Sequence, residues 1–276
     1  MNSPRILSPD HQRAIELRES GRHEEALPFW SKCLSERVDE HGLDDQTLSL
    51  AVATAQCMDL IRRPTCALAL YEFFFANTKE RPKKSFAVVN LMRYRAESLE
   101  KNGRRADALA AWSGVMEAAR DLELSYLTER SWRQEFAKAL MRAKRYRSAL
   151  QKWRRLIKFV ENAGAGAQDS ACTIEFARSR IAICQMCICD FQSAARTWKM
   201  VLEGYDEKVA ANNVQKLAIE KLAECLATLA RHEEALPLWK KAVAMRQAQF
   251  GEHSSAAIYC IRGLERSSKA LSAPVA

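Results

Sequence analysis

Glycine and proline are scarce in this sequence, which has 9 Gly and 7 Pro among 276 residues. An all-β fold needs these residues at its many turns, so their scarcity favours helices. No apolar run approaches the roughly 18 residues that a membrane-spanning helix needs, and the residues after Met1 lack the apolar core of a secretory signal. With 48 % apolar residues, the chain can still build a core, which excludes disorder over its whole length.

Motifs for catalysis are missing as well. The sequence contains no Ser/His/Asp set, no glycine-rich phosphate loop and no HExxH. We therefore predict that the protein is not an enzyme and that it uses no cofactor and no metal. The nine cysteines are odd in number and lack the spacing of a disulfide framework. Reduced thiols in the cytoplasm are the expectation, with an organelle as the alternative.

An internal repeat dominates the sequence. Residues 22–30 read RHEEALPFW, and residues 231–239 read RHEEALPLW. Four more copies follow the same pattern, with spacings of 41, 41, 41, 45 and 41 between their anchor alanines. The anchors are Ala26, Ala67, Ala108, Ala149, Ala194 and Ala235. Another alanine precedes each anchor by twelve residues, at Ala14, Ala55, Ala96, Ala137, Ala182 and Ala223. An aromatic residue follows each anchor by four, at Trp30, Tyr71, Trp112, Trp153, Trp198 and Trp239.

The spacing within each copy predicts two amphipathic helices joined by a short polar turn. Gly21 and Gly103 suit the left-handed residue that ends a first helix. Small alanines allow the two helices to approach closely, and the aromatic residue fills the gap to the next pair. Since one pair cannot bury its apolar face alone, we expect the copies to stack.

This pattern resembles the tetratricopeptide repeat (TPR), and the period of 41 is similar to that of kinesin-light-chain repeats. The resemblance implies an all-α fold, a right-handed α-solenoid that forms one domain over residues 1–276. The light chain's N-terminal heptad coiled coil is absent, so we expect the chain not to be a complete light chain. The expected repeats span residues 8–41, 45–82, 84–123, 126–164, 168–206 and 209–250, with a capping helix at 253–269. The four extra residues near 162–168 suggest a longer, flexible loop between repeats.

The cysteine cluster of Cys184, Cys187 and Cys189 invites a metal interpretation. A structural zinc site needs a fourth ligand, and no second pair or His lies nearby. Cys57, Cys184 and Cys225 share one repeat position, ten residues before the anchor. We therefore favour core packing, with metal binding or redox sensing as the alternative.

The excess of positive charge is concentrated in repeat four. The whole chain carries +9, and residues 124–164 hold eleven Lys and Arg against three Glu. Such a concentration either forms a solvated surface or attracts an acidic partner. The predicted basic patch, mostly on the second helix, is Arg145, Arg147, Lys152, Arg154, Arg155 and Lys158.

In the TPR family, the first helices line a concave groove, and the resemblance implies which residues lie there. They are Asn90, Arg93, Gln134, Lys138, Arg142, Phe176 and Ser179. The carboxylate clamp of chaperone co-factors corresponds here to His11, Ile15, Ala53, Asn90 and Tyr94. Only Asn90 keeps a polar amide, so we do not expect that clamp.

Two functions remain open. In the first, the chain is a scaffold or adaptor that binds an extended or acidic protein segment through the groove and the basic patch. In the second, it is a subunit of a ribonucleoprotein that contacts RNA through its convex basic face. Either function is compatible with membership of a larger assembly.

Overall fold

The computed structural model describes residues 8–78, 85–163, 167–203 and 212–272. Within these ranges the chain forms thirteen α-helices and one short 3₁₀ turn, Ala119–Asp121, and contains no β-strand. The helices are α1 (Pro9–Glu19), α2 (His23–His41), α3 (Asp45–Leu60), α4 (Pro64–Ala76), α5 (Phe86–Lys101), α6 (Arg105–Ala118), α7 (Tyr126–Arg142), α8 (Tyr146–Asn162), α9 (Ala167–Cys187), α10 (Phe191–Leu202), α11 (Asn213–Thr228), α12 (His232–Phe250) and α13 (Ser255–Ser272).

The helices group into two compact units. The first unit, Met1–Ala143, contains α1 to α7, and the second, Lys144–Ala276, contains α8 to α13. Within each unit every helix packs against the next one along the chain. The first helices of neighbouring repeats also touch, because α3 contacts α5 and α9 contacts α11. This arrangement is the stacking of helix pairs that the repeat predicts, while a single right-handed solenoid over the whole chain stays a prediction.

The repeat residues form the core. All twelve alanines of the pattern are completely buried, and the six aromatic residues are at most 2 % exposed. An alanine at these positions leaves room for the facing backbone, and the aromatic ring fills the space beside it. The packing role that the sequence predicts for these eighteen residues is confirmed.

The turn inside each repeat has one conformation throughout. The residue five positions before the anchor has a positive φ of 58° to 76° in all six copies. Gly21 and Gly103 were expected there, whereas the other four positions have side chains: Arg62, Lys144, Cys189 and Ala230. In the first copy, the N–H of Arg22 donates to the carbonyl of Leu17, which closes the helix end.

The extra residues in the longer period lengthen a helix, contrary to the expected loop. Helix α9 has 21 residues, whereas α5 and α11 have 16 each. Helix α9 starts fifteen residues before its repeat alanine, Ala182, whereas α5 starts ten residues before Ala96. Four residues are close to one helical turn, so the insertion preserves the face that α9 buries. Part of the expected loop, residues 164–166, lies outside the described residues.

Helix α13 occupies the place of the expected capping helix, starting and ending slightly later than 253–269. Its inner face is made of small buried residues: Ala257, Cys260, Gly263 and Ser267. Its exposed positions include Arg262, Glu265, Arg266 and Lys269. A polar outer face is what a terminal helix of a repeat array needs. The expected ends of repeats two, four and five and the expected starts of repeats three and six fall on residues that the structure does not describe.

Candidate functional site

A cleft of about 1040 Å³ lies in the first unit and is lined by residues of α1, α2 and α3. It is called the α1–α3 cleft below. Its volume is at the upper end of the range typical of ligand sites. His11, Ile15 and Ala53, the groove positions compared with the clamp, all line it. The TPR resemblance implies that these residues belong to a groove, and the structure brings them together.

Nitrogen-bearing side chains gather around Trp30 in this cleft. The His11 ring meets the Trp30 ring edge-on with centroids 5.3 Å apart, and the Arg18 guanidinium carbon lies 5.5 Å from the Trp30 centroid. Burial lowers the pKa of His11, and the charges of Arg18 and Arg37 lower it further. His11 is therefore mostly neutral at pH 7, and the positive charge here comes from the two arginines.

Arg37 is held by the start of α3. Its NH2 group donates to the Asp44 carboxylate at 2.6 Å, and its Nε is buried without an acceptor in the described chain. Burial opposes ionisation of Asp44, but the Thr47 N–H and hydroxyl together with Arg37 outweigh it and hold the pKa of Asp44 well below its usual range. Asp44 therefore stays ionised and fixes one side of the Arg37 guanidinium.

The predicted groove residues of repeats three and four belong to a charge-balanced network. Arg93 donates to Glu97 at 2.6 Å and to Asn90 at 3.2 Å, and its guanidinium lies over the Tyr94 ring at 3.6 Å. Arg93 is thus already held from three directions. Asn90 is half-buried, and so is Gln134, the groove residue of α7.

The remaining two basic groove residues, both on α7, are paired in the same way. Lys138 donates to Glu135 at 2.8 Å, and Arg142 lies 2.5 Å from Glu100 of α5. Burial raises the pKa of Glu100 despite the attraction of Arg142. The middle of the predicted groove is therefore not uniformly basic, because three glutamates balance its three cations. Glu97, Glu100 and Glu135 were missed, although Arg93–Glu97 and Glu135–Lys138 have the i,i+4 and i,i+3 spacing of helical ion pairs.

In the second unit, Phe176 is half-buried, and its ring meets Trp153 edge-on at 5.9 Å. Ser179 is only 1 % exposed, and its hydroxyl donates to the Phe176 carbonyl at 2.6 Å. The expectation that Ser179 presents a polar group to a groove is therefore wrong, because this hydroxyl is buried and satisfied.

The basic patch is largely exposed on α8. Arg147, Arg154, Arg155 and Lys158 are exposed along α8, as is Arg145 at its N-cap, while Lys152 is half-buried. Arg154, Arg155 and Lys158 follow Arg147 by seven, eight and eleven residues, which puts all four on one side of the helix. Within the described ranges, none of these five exposed residues has a carboxylate at ion-pair distance, and the first turn of α8 has no acidic residue.

The shared cysteine position is buried, as expected for packing. Cys57, Cys184 and Cys225 are at most 1 % exposed, and burial raises the pKa of Cys184 and of Cys225 to about 12. These two thiols stay protonated at neutral pH. Cys187 and Cys189 are exposed. No group of three or more metal-ligating side chains occurs in the ranges that the structure covers.

Solved structures of helical-repeat proteins are similar to this chain. RapI in its apo form superposes with a TM-score of 0.68 and 8 % identity over 94 % of this chain and 69 % of RapI. Nearly identical TPR-like repeats of a candidate kinesin light chain from Podosopora anserina superpose with a TM-score of 0.61 and 14 % identity, over 73 % of this chain and 95 % of that one. YrrB, a TPR protein with an unusual peptide-binding site, superposes with a TM-score of 0.57 and 13 % identity over 83 % of this chain and 97 % of YrrB. The chain has the TPR fold.

Sequence-level comparisons add nothing to this likeness. No protein-family model matches the chain, and no curated protein sequence matches it. The TPR fold is therefore recognised through helix geometry and through the alanine and aromatic positions that the sequence repeats. At identities this low, the likeness concerns the fold alone.

Several residues of the α1–α3 cleft were not singled out as site residues by the sequence. Arg18, Arg37 and Gln46 line it together with the groove positions. Arg18 lies seven residues after His11, on the same side of α1, so helical spacing was the available signal. Arg37 comes from a second helix of a TPR pair, and carrying over first-helix positions alone could not identify it.

None of the described helices combines the length and the hydrophobicity needed to cross a membrane.

Proposed function

We propose that this chain is a non-enzymatic interaction module that binds an extended or acidic segment of a protein partner. In the first unit, the proposed binding residues are Asn90, Arg93, Gln134, Lys138 and Arg142 on the first helices α5 and α7. In the second unit, they are Phe176 of α9 and the basic patch on α8. We place the protein in a reducing, cytoplasm-like compartment, where the buried cysteines that pack its core stay as free thiols. Membership of a larger assembly is part of this proposal.

The observation that carries the proposal is the ordered array of charged groups shared by α5 and α7. Arg142 of α7 reaches Glu100 of α5, and Glu135 holds both Lys138 and, at 3.9 Å, Arg142. A carboxylate of an acidic segment can replace these glutamates as the partner of Arg142, because the Arg142 side chain is about half exposed. YrrB, which shares the fold, has a peptide-binding site by its description.

The alternative function is a nucleic-acid-associated subunit. Its support is the exposed basic side of α8, where Arg147, Arg154 and Arg155 have no carboxylate partner in the described part of the chain. Cations in the first turn of α8 are not stabilised by the positive end of the helix dipole, so this end of the helix favours an anionic partner. Trp153 of α8 is fully buried and cannot stack on a base, whereas Tyr146 and Phe159 are half-buried beside the basic patch.

The two functions are separated by affinity capture from native lysate, with and without nuclease. The wild type is compared with R93Q/K138Q/R142Q, which changes the first-helix face, and with R147Q/R154Q/R155Q, which changes α8. We expect protein partners that survive nuclease and are lost from the first variant. Partners lost on nuclease treatment and lost from the α8 variant alone would replace the proposal with the alternative.

A further inference from the structure

The α1–α3 cleft contains donors that the protein itself leaves without acceptors. Arg18 has no carboxylate at ion-pair distance in the described chain, although the exposed Arg13 on the same helix pairs with Glu16 at 3.2 Å. Arg37 uses its NH2 group for Asp44, and its buried Nε has no acceptor. Guanidinium groups bind carboxylates through two parallel hydrogen bonds, so Arg18 retains this capacity. Arg37 can add a single hydrogen bond from its NH1 group, because its NH2 is used and its Nε is buried.

The rest of the cleft suits a peptide more than a small anion. Ile15, Leu50 and Ala53 give it an apolar part. Gln46 also lines it, and its amide makes no hydrogen bond to the described residues. A side-chain amide both donates and accepts, which matches the N–H and C=O of an extended peptide backbone.

Acidic residues of the same cleft disfavour a polyanion. Glu36, Glu40 and Asp44 line it together with the arginines. A nucleic acid strand would bring successive phosphates against these carboxylates, and like charges at close range repel. A segment with a single carboxylate places only one negative charge in the cleft, and that charge can lie at the arginines instead of beside the carboxylates.

We propose that the α1–α3 cleft binds an extended peptide segment that places one carboxylate at Arg18 and Arg37 and an aliphatic side chain on Ile15, Leu50 and Ala53. The proposal rests on the proposed function and adds to it a binding site and the chemistry of the bound segment. The site is separate from the α5–α7 network, whose cations are already paired with glutamates.

The test uses an array of extended ten-residue peptides, each containing one Asp or Glu, beside matched copies with Asn or Gln at that position. A twelve-residue oligouridine is the nucleic-acid probe. The full-length wild type is compared with R18Q and with R13Q, a matched change on the same helix at an exposed, paired arginine. S49W provides a second test, because Ser49 is exposed and lines the cleft, so that a large ring there blocks it without removing a charge.

We expect the wild type and R13Q to prefer the acidic peptides over their amide copies by about tenfold. R18Q should lose this preference, and S49W should lose peptide binding while its thermal melting temperature stays near that of the wild type. An acid preference that persists in R18Q and S49W but disappears in R93Q/K138Q/R142Q would overturn the cleft assignment and leave the proposed function standing. A wild type that binds no peptide would overturn both, and oligouridine binding that R18Q abolishes would identify a phosphate site instead.

Discussion

At the scale of single residues, Gly263 of α13 packs closely against the Trp239 ring of α12. A Cβ atom at Gly263 would lie 2.7 Å from two carbon atoms of the Trp239 ring. Alanine normally stabilises a helix interior by about 1 kcal/mol over glycine, but overpacking a core costs about 1–3 kcal/mol. Since Trp239 is 2 % exposed and cannot move aside, we predict that Gly263→Ala lowers the urea midpoint of unfolding.

The control is Gly114→Ala in α6. A Cβ atom there would meet only the terminal methyl group of Met92, at 3.3 Å, and that flexible side chain can shift. The helix-propensity gain should therefore survive, and Gly114→Ala should leave the midpoint unchanged or raise it. Equal shifts in the two variants would show that the Gly263–Trp239 contact is not the cause.

At the scale of the helical elements, the six repeat turns offer a test of backbone strain. Ala230 has a φ of 58° at the position where Gly21 has 76°. A left-handed conformation costs an L-residue about 1–2 kcal/mol, whereas the extra chain entropy of glycine costs about 0.5–1 kcal/mol. We predict that Ala230→Gly stabilises the fold by up to about 1 kcal/mol, measured by urea unfolding.

The reciprocal change is Gly21→Ala, which should destabilise by a similar amount. A Cβ atom at Gly21 would meet nothing within 4 Å, so any effect there comes from the backbone alone. A stabilising Gly21→Ala, or a destabilising Ala230→Gly, would contradict the strain argument.

The elements were predictable where the local pattern and the packing agree, as at the alanine and aromatic positions. Residues 162–168 show the limit of this approach. Gly164 and Gly166 favour a loop by composition, yet the extra length of this repeat lies in helix α9. The turn at Ala230 shows the same limit. The helices on either side impose its left-handed conformation, and no glycine marks it in the sequence.

At the scale of the whole molecule, the array depends on its last helix. Tyr259 meets the Trp239 ring edge-on at 5.9 Å, and its hydroxyl donates to Glu224 of α11 at 2.7 Å. Deleting residues 252–276 would expose Trp239 and Ala242, both buried in the full chain. We predict a lower melting temperature and concentration-dependent association, measured by light scattering.

The matched control for the deletion is Arg262→Ser on the exposed face of α13, which should behave as the wild type. A truncated chain that stays monomeric and melts at the wild-type temperature would show that α13 is not a cap.

The candidate site was less predictable than the fold. Transferring family positions located Arg93, Lys138 and Arg142 but could not show that Glu97, Glu100 and Glu135 neutralise them. It also placed Ser179 in the groove, because a spacing rule registers neither the burial of this residue nor the hydrogen bond that satisfies its hydroxyl. Pairing between helices, as between Arg142 and Glu100, depends on how neighbouring repeats stack and becomes visible only in three dimensions.

The central claim is that a protein segment binds to the first helices of the repeats. Hydrogen–deuterium exchange of the full chain, with and without an acidic peptide selected from the peptide array described above, tests this claim most directly. The account predicts slower exchange in α1, α3, α5 and α7, and any slowing in α8 should accompany it. Protection confined to the second helices, or to α8 alone, would contradict it.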